Sequence, residues 1–403
     1  MPYLNSSFFF QSGIWEKSNT NTESFTLSDL DDDLIQNLID KDALKVIKTI
    51  VKADFEAYLV GGCIRDLLLG YKPKDFDIAT SATPEQVTKI FKRSRIIGRR
   101  FRLVHIMFSA RKYIEVATFR AGKVQTSGNG VIIRDNYYGT LYEDVFRRDF
   151  SINGLYYDIT KSEVIDYVGG LEDLKSSVIK MIGNPTERFE EDPVRMIRAI
   201  RFKVKLNASL SPEISKSISK QAHLLANIPP ARLYEEIIKL FHNEKSIEVY
   251  KGLLKFGLLK FLFSQAHESS FIDATLINTS KRIQSGHSVT PAFLFAVFLW
   301  AAQNKRYKEL NKKNKSHIDL MTKASEEIIK RQTQQVMMPR WLSSRVKDIW
   351  LMQYQLENCN LKKAKELINN PRFRMAYDFL MLRSQSIDPD LKERAEFWTT
   401  LQK

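Results

Sequence analysis

The first half of the chain alternates short apolar runs with amphipathic segments, a pattern typical of strands and helices packed against one another. A helix is predicted over residues 34–52 by apolar side chains at helical spacing, which are Leu34, Ile35, Leu38, Ile39 and Leu44. Another helix is predicted to open at Pro84, in the first helical position behind a Thr83 cap. The predicted strands are Ala57–Val60, Asp75–Ala79, Phe101–Ser109, Tyr113–Phe119 and Val164–Asp166.

After Asp173 the apolar spacing becomes helical and stays so to the last residue. Proline-containing breaks at 227–230 and 338–340 divide this half into helical modules. Its longest apolar stretch, 291–302, is shorter than the roughly 20 residues that cross a bilayer, so it predicts a buried helix with Pro291 in its first turn. The predicted fold class is an α+β head, with a small mixed sheet and helices, followed by all-α neck, body and tail modules.

The same changes of pattern predict the domain boundaries. Residues 1–38 are expected to be an N-terminal extension, partly disordered because much of it is polar and non-periodic. The head is predicted over 39–173, the helical neck over 174–240, and the helical body and tail over 241–403. Within the head, the Gly-, Ser- and Asn-rich segment 122–136 predicts a mobile loop.

Composition adds a class of partner. The 403 residues include 62 Lys and Arg against 47 Asp and Glu, a net charge of +15. Such a balance favours a polyanion such as nucleic acid, although a basic surface tuned for solubility is an equal alternative on charge alone. Cys63 and Cys359 are far apart, which excludes a disulfide framework and disfavours structural zinc. With no signal-peptide pattern at the N-terminus, we expect a cytoplasmic protein that does not associate with a membrane.

A glycine turn and two aspartates carry the candidate chemistry. The strand Ala57–Val60 runs into Gly61 and Gly62, whose backbone N–H groups are free to face a polyphosphate. Asp75 and Asp77 follow on the next strand, where alternation places both carboxylates on one face. Adjacent carboxylates repel each other unless a cation lies between them, and Mg²⁺ takes one or two carboxylates plus substrate phosphates. The pattern therefore indicates a site for a metal–nucleotide complex.

The sequence Gly61-Gly-Cys-Ile-Arg-Asp66, followed by Asp75-Phe-Asp77, resembles the signature of the polymerase-beta nucleotidyltransferase superfamily. The similar branch contains bacterial poly(A) polymerases and bacterial-type CCA-adding tRNA nucleotidyltransferases. The resemblance implies a nucleotidyltransferase head in which Asp75 and Asp77 are catalytic and bind Mg²⁺, with Mn²⁺ as the alternative metal. It also implies that Gly61, Gly62 and Arg65 lie near the nucleotide, although an Arg65–Asp66 pair is also expected to be a local salt bridge.

Two-metal displacement commonly recruits a third carboxylate, and two candidates stay open. Glu115 lies on a strand that resembles the family's third-carboxylate strand, but a solvated edge-strand residue is an equally weighted interpretation. Asp149 is the other, with helix capping as its alternative role. It belongs to Arg147-Arg-Asp-Phe-Ser-Ile-Asn153, a motif that in the family is part of the nucleotide site. Arg147, Arg148 and Asn153 are therefore predicted nucleotide ligands, with Asn153 on the face of Asp149 if the segment is helical.

Residues 191–202 predict the element that selects the base. Asp192 is expected to cap a helix that has Pro193 in its first position, and Arg195 and Arg198 follow at intervals of three. An Asp acceptor beside an Arg donor matches a base edge with an amino group next to an unprotonated ring nitrogen, as in adenine and cytosine. The family uses its E-D-x-x-R motif in this way. A capped helix with a basic outer face is the alternative.

Residues 96–108 look like the GRRFRL-x-H-x-x-F element of bacterial poly(A) polymerases, whereas CCA-adding relatives typically have a less basic sequence here. Arg99, Arg100 and Arg102 are predicted to hold the RNA 3′ end or its phosphates. The predicted neck, 174–240, is expected to recognise the nucleotide base, and the predicted body and tail, 241–403, are expected to bind RNA. The similarity covers about residues 45 to 390. Its departures are Cys63, where the family often has glycine or another small residue, and the lack of a long arginine-rich C-terminal tail.

The predicted activity is template-independent transfer of AMP from ATP to RNA 3′ ends, with release of pyrophosphate by a two-metal mechanism. The predicted partners are RNA and ATP, with no membrane and no obligatory protein partner. CCA addition to tRNA is the alternative, and a non-catalytic RNA-binding protein is a less favoured third. The Asp75 and Asp77 pair argues against that third interpretation, because an inactive site has no reason to keep like charges adjacent.

Overall fold

The computed structural model describes residues 16–17, 24–26, 38–98, 102–121, 125–126, 132–134, 137–310 and 316–402. Two compact units divide the chain, and each is described by itself. The first unit is Met1–Arg195 with Leu206–Ser217, and the second is Met196–Lys205 with Ile218–Lys403. Residues of the predicted neck thus belong to both units, and the predicted domain boundaries stay predictions.

The described part of the first unit contains thirteen strands. In chain order these are β1 (Glu16–Lys17), β2 (Ser24–Thr26), β3 (Ala57–Val60), β4 (Asp77–Thr80), β5 (Ser94–Ile97), β6 (Leu103–Met107), β7 (Tyr113–Thr118), β8 (Gln125–Thr126), β9 (Ile132–Arg134), β10 (Tyr156–Asp158), β11 (Glu163–Ile165), β12 (Val178–Ile179) and β13 (Ser209–Leu210). Nine of them form one sheet in the order β1-β2-β11-β10-β3-β4-β7-β6-β5. The sheet is mixed, because β4 and β7 are parallel while every other neighbouring pair is antiparallel.

Helices accompany this sheet. They are α1 (Lys41–Val51), α2 (Gly62–Leu68), α3 (Pro84–Ile90), α4 (Leu141–Phe146), α5 (Gly170–Lys175) and α6 (Pro185–Glu191), followed by α7 (Val194–Lys205) and α8 (Pro212–Gln221), which each have residues in both units. The predicted start of α3 is confirmed, since Thr83 and Gln86 form a reciprocal capping box around Pro84. A short 3₁₀ turn, Ser151–Asn153, lies between α4 and β10.

The helix predicted over residues 34–52 is wrong in extent. Residues 34–37 lie outside the described residues and Leu38 is helical, but the helix is interrupted at Ile39 and Asp40, and α1 begins at Lys41. Asp40 ends the upstream segment, because its backbone is extended and its Oδ1 accepts from the N–H groups of Asp42 at 2.8 Å and Ala43 at 3.4 Å. Ile39 is buried although it lies outside α1. Its apolar side chain therefore fitted the helical spacing and hid the helix start at Asp40 from the sequence pattern.

Several strands were absent from the sequence prediction, among them β8, β9, β10, β12 and β13. All three residues of β10, which include Asp158, are buried, so the strand lacks the alternation of buried apolar and exposed polar residues that marks a strand in sequence. The predicted loop over 122–136 contains the paired strands β8 and β9 in its described part. The expectation that only helices follow Asp173 is corrected by β12 and β13, a parallel ladder of two residues per strand.

One apolar cluster of the first unit fixes α4 against the sheet. It joins Val60 of β3, Ala79 of β4, Phe119 after β7, Val145 of α4 and Tyr156 of β10. All are at most 3% exposed, and burial of such side chains contributes roughly 1.5–3 kcal/mol for each large one. Because α4 is held here, the residues that follow it are placed at the end of β3.

The described part of the second unit is helical. Its remaining helices are α9 (Pro230–Phe241), α10 (Ser246–Lys255), α11 (Ser270–Gln284), α12 (Pro291–Leu310), α13 (His317–Gln335), α14 (Arg340–Asn358), α15 (Leu361–Ile368), α16 (Phe373–Ser386) and α17 (Lys392–Leu401). The predicted breaks are confirmed, because α9 begins at Pro230 and α14 begins at Arg340. The apolar stretch from Pro291 is the first half of α12 and is largely buried, as predicted. None of the described helices has the length and apolar character needed to cross a membrane.

Candidate active site

Carboxylates gather where β4 and β7 begin to run side by side. Asp77, the first residue of β4, is in register with Glu115 of β7, and Asp75 lies two residues before it. Asp75 and Asp77 are exposed, whereas Phe76 and Ile78 are buried, which matches the predicted alternation. The parallel pairing of β4 with β7, which the sequence did not predict, is what brings Glu115 beside Asp77.

Desolvation and neighbouring negative charge raise the pKa values of Asp77 and Glu115. The pKa of Asp77 is raised to about 6. The largest cause is desolvation, because the surrounding protein displaces much of the water around the carboxylate. Part of the side chain nevertheless stays open to solvent. Repulsion from Glu115 and Asp75 adds to this, and Arg148 opposes it. The pKa of Glu115 is also raised, again mainly by desolvation. The three carboxylates therefore form a negative site whose charge is only partly balanced.

This donor set fits a hard divalent cation. Carboxylate oxygens are the ligands that Mg²⁺ prefers, and mutual repulsion between them is relieved when a cation binds. Among the described residues, no group of three or more His, Cys, Asp and Glu side chains is arranged as a ready-made metal cage. Mg²⁺ does not require such a cage, because it usually retains several water ligands and binds through one or two carboxylates together with substrate phosphates.

The glycine turn meets the acidic site from β3. Gly61 has φ +74, a left-handed conformation that strains any residue with a Cβ. Its N–H donates to Leu155 O at 3.0 Å, so the prediction that this N–H is free to face a polyphosphate is wrong. An added Cβ would lie 3.5 Å from Nη1 of Arg148. The next turn buries Cys63, whose thiol donates to Val60 O, and burial, with repulsion from Asp77, raises the pKa of that thiol to about 12. This thiol is therefore protonated and unreactive at neutral pH.

Arg65 connects the glycine turn to the Asp149 motif. Its guanidinium is buried and donates to Asp66 Oδ1 through Nε and Nη2, at 2.9 and 2.7 Å, and to Asn153 Oδ1 at 2.6 Å. Asn153 Nδ2 in turn donates to Asp149 Oδ1 at 3.0 Å. The contact between Asn153 and Asp149 exists, but it forms across a 3₁₀ turn rather than on the predicted helix face. The predicted salt bridge between Arg65 and Asp66 is present.

A buried carboxylate holds the two arginines that follow α4. Asp144 accepts from Arg148 Nη2 at 2.9 Å, from the Tyr156 hydroxyl and from the backbone N–H of Arg120. Arg147 lies 3.6 Å from the same carboxylate. Burial by itself would raise the pKa of Asp144, but Arg148 and the Tyr156 hydroxyl lower it below its usual value. Arg148 also donates to Tyr156 from Nε at 2.7 Å.

Sequence reasoning missed Arg188 and Glu191. Arg188 Nη2 donates to the carbonyls of Arg147 and Arg148 at 2.7 and 2.6 Å, which fixes their backbone. Glu191 accepts from Arg188 Nη1 at 2.5 Å and from Arg195 Nη1 at 2.9 Å. The spacing of three and four residues between these charges on consecutive helical segments was the available signal.

The predicted base-selecting residues begin where α6 ends. Asp192 Oδ1 accepts from Val194 N at 3.3 Å, and α7 starts at Val194, one residue later than predicted. Arg195 Nη1 donates to Arg188 O at 2.8 Å, so Arg195 is anchored on the α6 side. Arg198 belongs to the second unit, where its guanidinium lies 5.3 Å from the centre of the Phe202 ring.

Of the predicted RNA-binding arginines, Arg102 can be placed. It forms an ion pair with Glu85 of α3 and keeps about a third of its side chain exposed. Arg99 and Arg100 lie outside the described residues. The predicted roles of all these residues remain predictions.

Three family models match successive parts of the chain. They are the poly A polymerase head domain over 57–180, the probable RNA and SrmB-binding site of polymerase A over 208–269, and the polymerase A arginine-rich C-terminus over 313–403. Poly(A) polymerase I of Salmonella typhi is 41% identical over 385 residues, covering 90% of this chain and 83% of that protein. The chain belongs to the bacterial poly(A) polymerase I family. It is therefore a nucleotidyltransferase, and the predicted family, fold class and enzyme class are confirmed.

Poly(A) polymerase I proteins are related to CCA-adding enzymes, and both likenesses are present. The CCA-adding enzyme of Lactobacillus delbrueckii subsp. bulgaricus is 40% identical over 219 residues, which is 54% of each chain. The crystal structure of the Bacillus stearothermophilus CCA-adding enzyme in complex with CTP superposes with a TM-score of 0.60 at 26% identity, covering 89% of this chain and 82% of that one. The match over 313–403 shows that the chain has a counterpart of the family's C-terminal region, while the lack of a long arginine-rich tail stays a prediction.

Proposed function

We propose that this poly(A) polymerase I family member adds AMP units from ATP to RNA 3′ ends without a template and releases pyrophosphate. The observation that carries the proposal is the alignment of Asp77 with Glu115, next to Asp75 and beside the Gly61 turn. Polyadenylation is favoured over CCA addition because the sequence similarity to poly(A) polymerase I of Salmonella typhi covers 90% of the chain, whereas the sequence similarity to the CCA-adding enzyme of Lactobacillus delbrueckii subsp. bulgaricus covers 54%. RNA and ATP meet in the cytoplasm, where we expect the enzyme to act.

Asp75 and Asp77 are proposed to hold Mg²⁺, with Glu115 as the third carboxylate. Glu115 is preferred to Asp149 because it is in register with Asp77 and its charge raises the pKa of Asp77. Asp149 instead accepts from Phe150 N and Asn153 Nδ2, which suits a positioning role. When bound, the metal activates the RNA 3′ hydroxyl and stabilises charge on the phosphates.

The protein's own cations are proposed to orient the triphosphate. Arg148 approaches Gly61 and is held by Asp144 and Tyr156, so its guanidinium needs little reorganisation to meet an anion. The Arg188 contacts hold the backbone of Arg147 and Arg148. Arg65 keeps Asn153 in place, which leaves the Asn153 side chain oriented at the edge of the site.

Asp192 and Arg195 are proposed to read the base edge. Adenine presents an amino group beside an unprotonated ring nitrogen. The Asp192 carboxylate would accept from the amino group, and the Arg195 guanidinium would donate to the ring nitrogen. The anchoring of Arg195 on Arg188 O and Glu191 supports this, because a fixed donor discriminates better than a mobile one. The role of Arg198 rests on the sequence motif alone.

The activity is tested by offering ATP and CTP, separately and together, to a generic single-stranded RNA and to tRNA that lacks its terminal nucleotides. Long tails made from ATP alone on the generic RNA are expected. Addition that stops after three nucleotides, needs both triphosphates and occurs only on the tRNA would replace polyadenylation by CCA addition. No incorporation on either RNA, with Mg²⁺ or with Mn²⁺, would leave the non-catalytic interpretation.

Arg195→Ala is expected to lower the ratio of kcat/KM for ATP to that for GTP by roughly 10- to 100-fold, because one base-edge hydrogen bond to a charged donor is worth about 1.5–3 kcal/mol. The measurement is single-nucleotide incorporation at varied ATP and GTP. Arg374→Ala, which removes an arginine from the surface of α16, is the matched control. An unchanged ratio in Arg195→Ala, even with slower incorporation, would contradict the role in base selection.

A further inference from the structure

Two aromatic side chains stand in solvent on α4, directly before the arginine pair. Tyr142 is 56% exposed and Phe146 is 42% exposed. They are four residues apart, so they share a helix face, and their ring centres are 4.6 Å apart. The opposite face of the same helix buries Asp144 and Val145. The folding of α4 accounts for the buried pair, but it does not account for two adjacent rings in water.

The exposed pair is held in place rather than left loose. Tyr142 packs edge-on against Tyr167, with ring centres 5.4 Å apart and planes at 82°. The helix beneath is fixed by a capping box between Thr140 and Glu143 and by Val145 in the core cluster. Rings that are oriented in advance lose little conformational freedom on binding a flat partner. The arrangement is therefore a preformed surface.

Cationic groups adjoin this surface. Phe146 is followed at once by Arg147 and Arg148, and Asp144, which pairs with both, is buried beneath them. Proteins bind single-stranded nucleic acid by stacking bases on aromatic rings while cations hold the phosphates. A protein partner could also cover the apolar rings, but the two adjacent arginines are complementary to the phosphates of RNA. The charge therefore favours RNA over protein.

We propose that Tyr142 and Phe146 form a stacking surface for unpaired bases near the 3′ end of the RNA. The inference rests on the proposed function for its ligand, but it concerns binding and does not require catalysis. Every base has a flat π-face, so this surface binds RNA without sequence specificity. Phosphates on either side of the stacked bases would lie toward Arg147.

The test compares binding of a fluorescent single-stranded RNA with binding of the same strand carrying one abasic unit, moved in turn through its last six nucleotides. The protein is the full chain, and the readout is fluorescence anisotropy. For the unsubstituted protein, Kd is expected to rise by about 10-fold when the abasic unit replaces a stacked base. The double variant Tyr142→Leu with Phe146→Leu, which keeps apolar bulk and helix propensity, is expected to bind intact RNA about 10-fold more weakly and to lose this sensitivity.

Two further variants separate stacking from structure. Tyr142→Phe keeps the ring and is expected to bind as the unsubstituted protein does, while Tyr71→Leu removes another exposed aromatic of the first unit and is the matched control. In incorporation assays the double variant should raise KM for RNA and not KM for ATP. Equal weakening on intact and abasic RNA, unchanged Kd in the double variant, or no RNA binding by the unsubstituted protein would overturn the inference. If RNA binds as expected but no AMP is added, the proposed function fails while the stacking surface stands.

Discussion

Asp77→Asn is expected to abolish AMP incorporation, with kcat lowered by roughly 10³-fold or more. Metal-ion stabilisation of a transferred phosphoryl group is worth several kcal/mol, and each 1.4 kcal/mol or so is tenfold in rate. Asp77 interacts electrostatically with Glu115, Asp75 and Arg148. Its loss therefore removes the carboxylate that connects the other charges of the site. The measurement is single-turnover incorporation with ATP and a single-stranded RNA.

The same substitution is expected to leave the fold intact or slightly more stable. The pKa of Asp77 is raised in the folded state, so its charged form opposes folding at pH values above its ordinary pKa. An amide removes that repulsion, and the melting temperature of the metal-free protein should stay equal or rise. RNA Kd should not change. Asp390→Asn, at an exposed position of the second unit, is the control for both measurements. Incorporation by Asp77→Asn within tenfold of the unsubstituted protein would remove Asp77 from the catalytic role.

The parts of the site that lie close together in sequence were predictable. The glycine turn, the alternation at Asp75 and Asp77 and the capping of α3 each depend on residues within about four positions of one another, and local geometry determines them. The helical second unit was predictable for a similar reason, because amphipathic spacing and proline breaks are local signals.

What sequence patterns could not supply was pairing between distant elements. The choice between Glu115 and Asp149 as the third carboxylate depends on β4 running parallel to β7, a register that no local pattern encodes. The hydrogen bond from Arg65 to Asn153 spans 88 positions. The Arg188 contacts with the backbone of Arg147 and Arg148 span about 40 positions. Charged side chains with such partners look, in sequence, like ordinary surface residues.

Asp144→Ala is expected to destabilise the first unit by about 3–5 kcal/mol, the usual cost of removing one partner from a buried ion pair. The substitution leaves the buried Tyr156 hydroxyl and the partly buried Arg148 guanidinium without their shared acceptor. Hydrogen exchange at the amides of β3, β4 and β7 measures this effect, because it reports the opening of the first unit separately from the helices of the second. Glu326→Ala, which breaks an exposed pair with Lys347, should cost at most about 1 kcal/mol.

The destabilisation should depend on pH in a defined direction. Because Arg148 and the Tyr156 hydroxyl lower the pKa of Asp144, its charged form stabilises the fold. That contribution is complete above the unfolded-state pKa of about 4 and is lost as the pH falls through the lower folded-state value. The difference between Asp144→Ala and the unsubstituted protein should therefore be full at pH 7 and shrink in acid below about pH 4. A difference that stays constant down to pH 2, or that grows, would show that Asp144 stabilises the arginines through packing rather than through its charge.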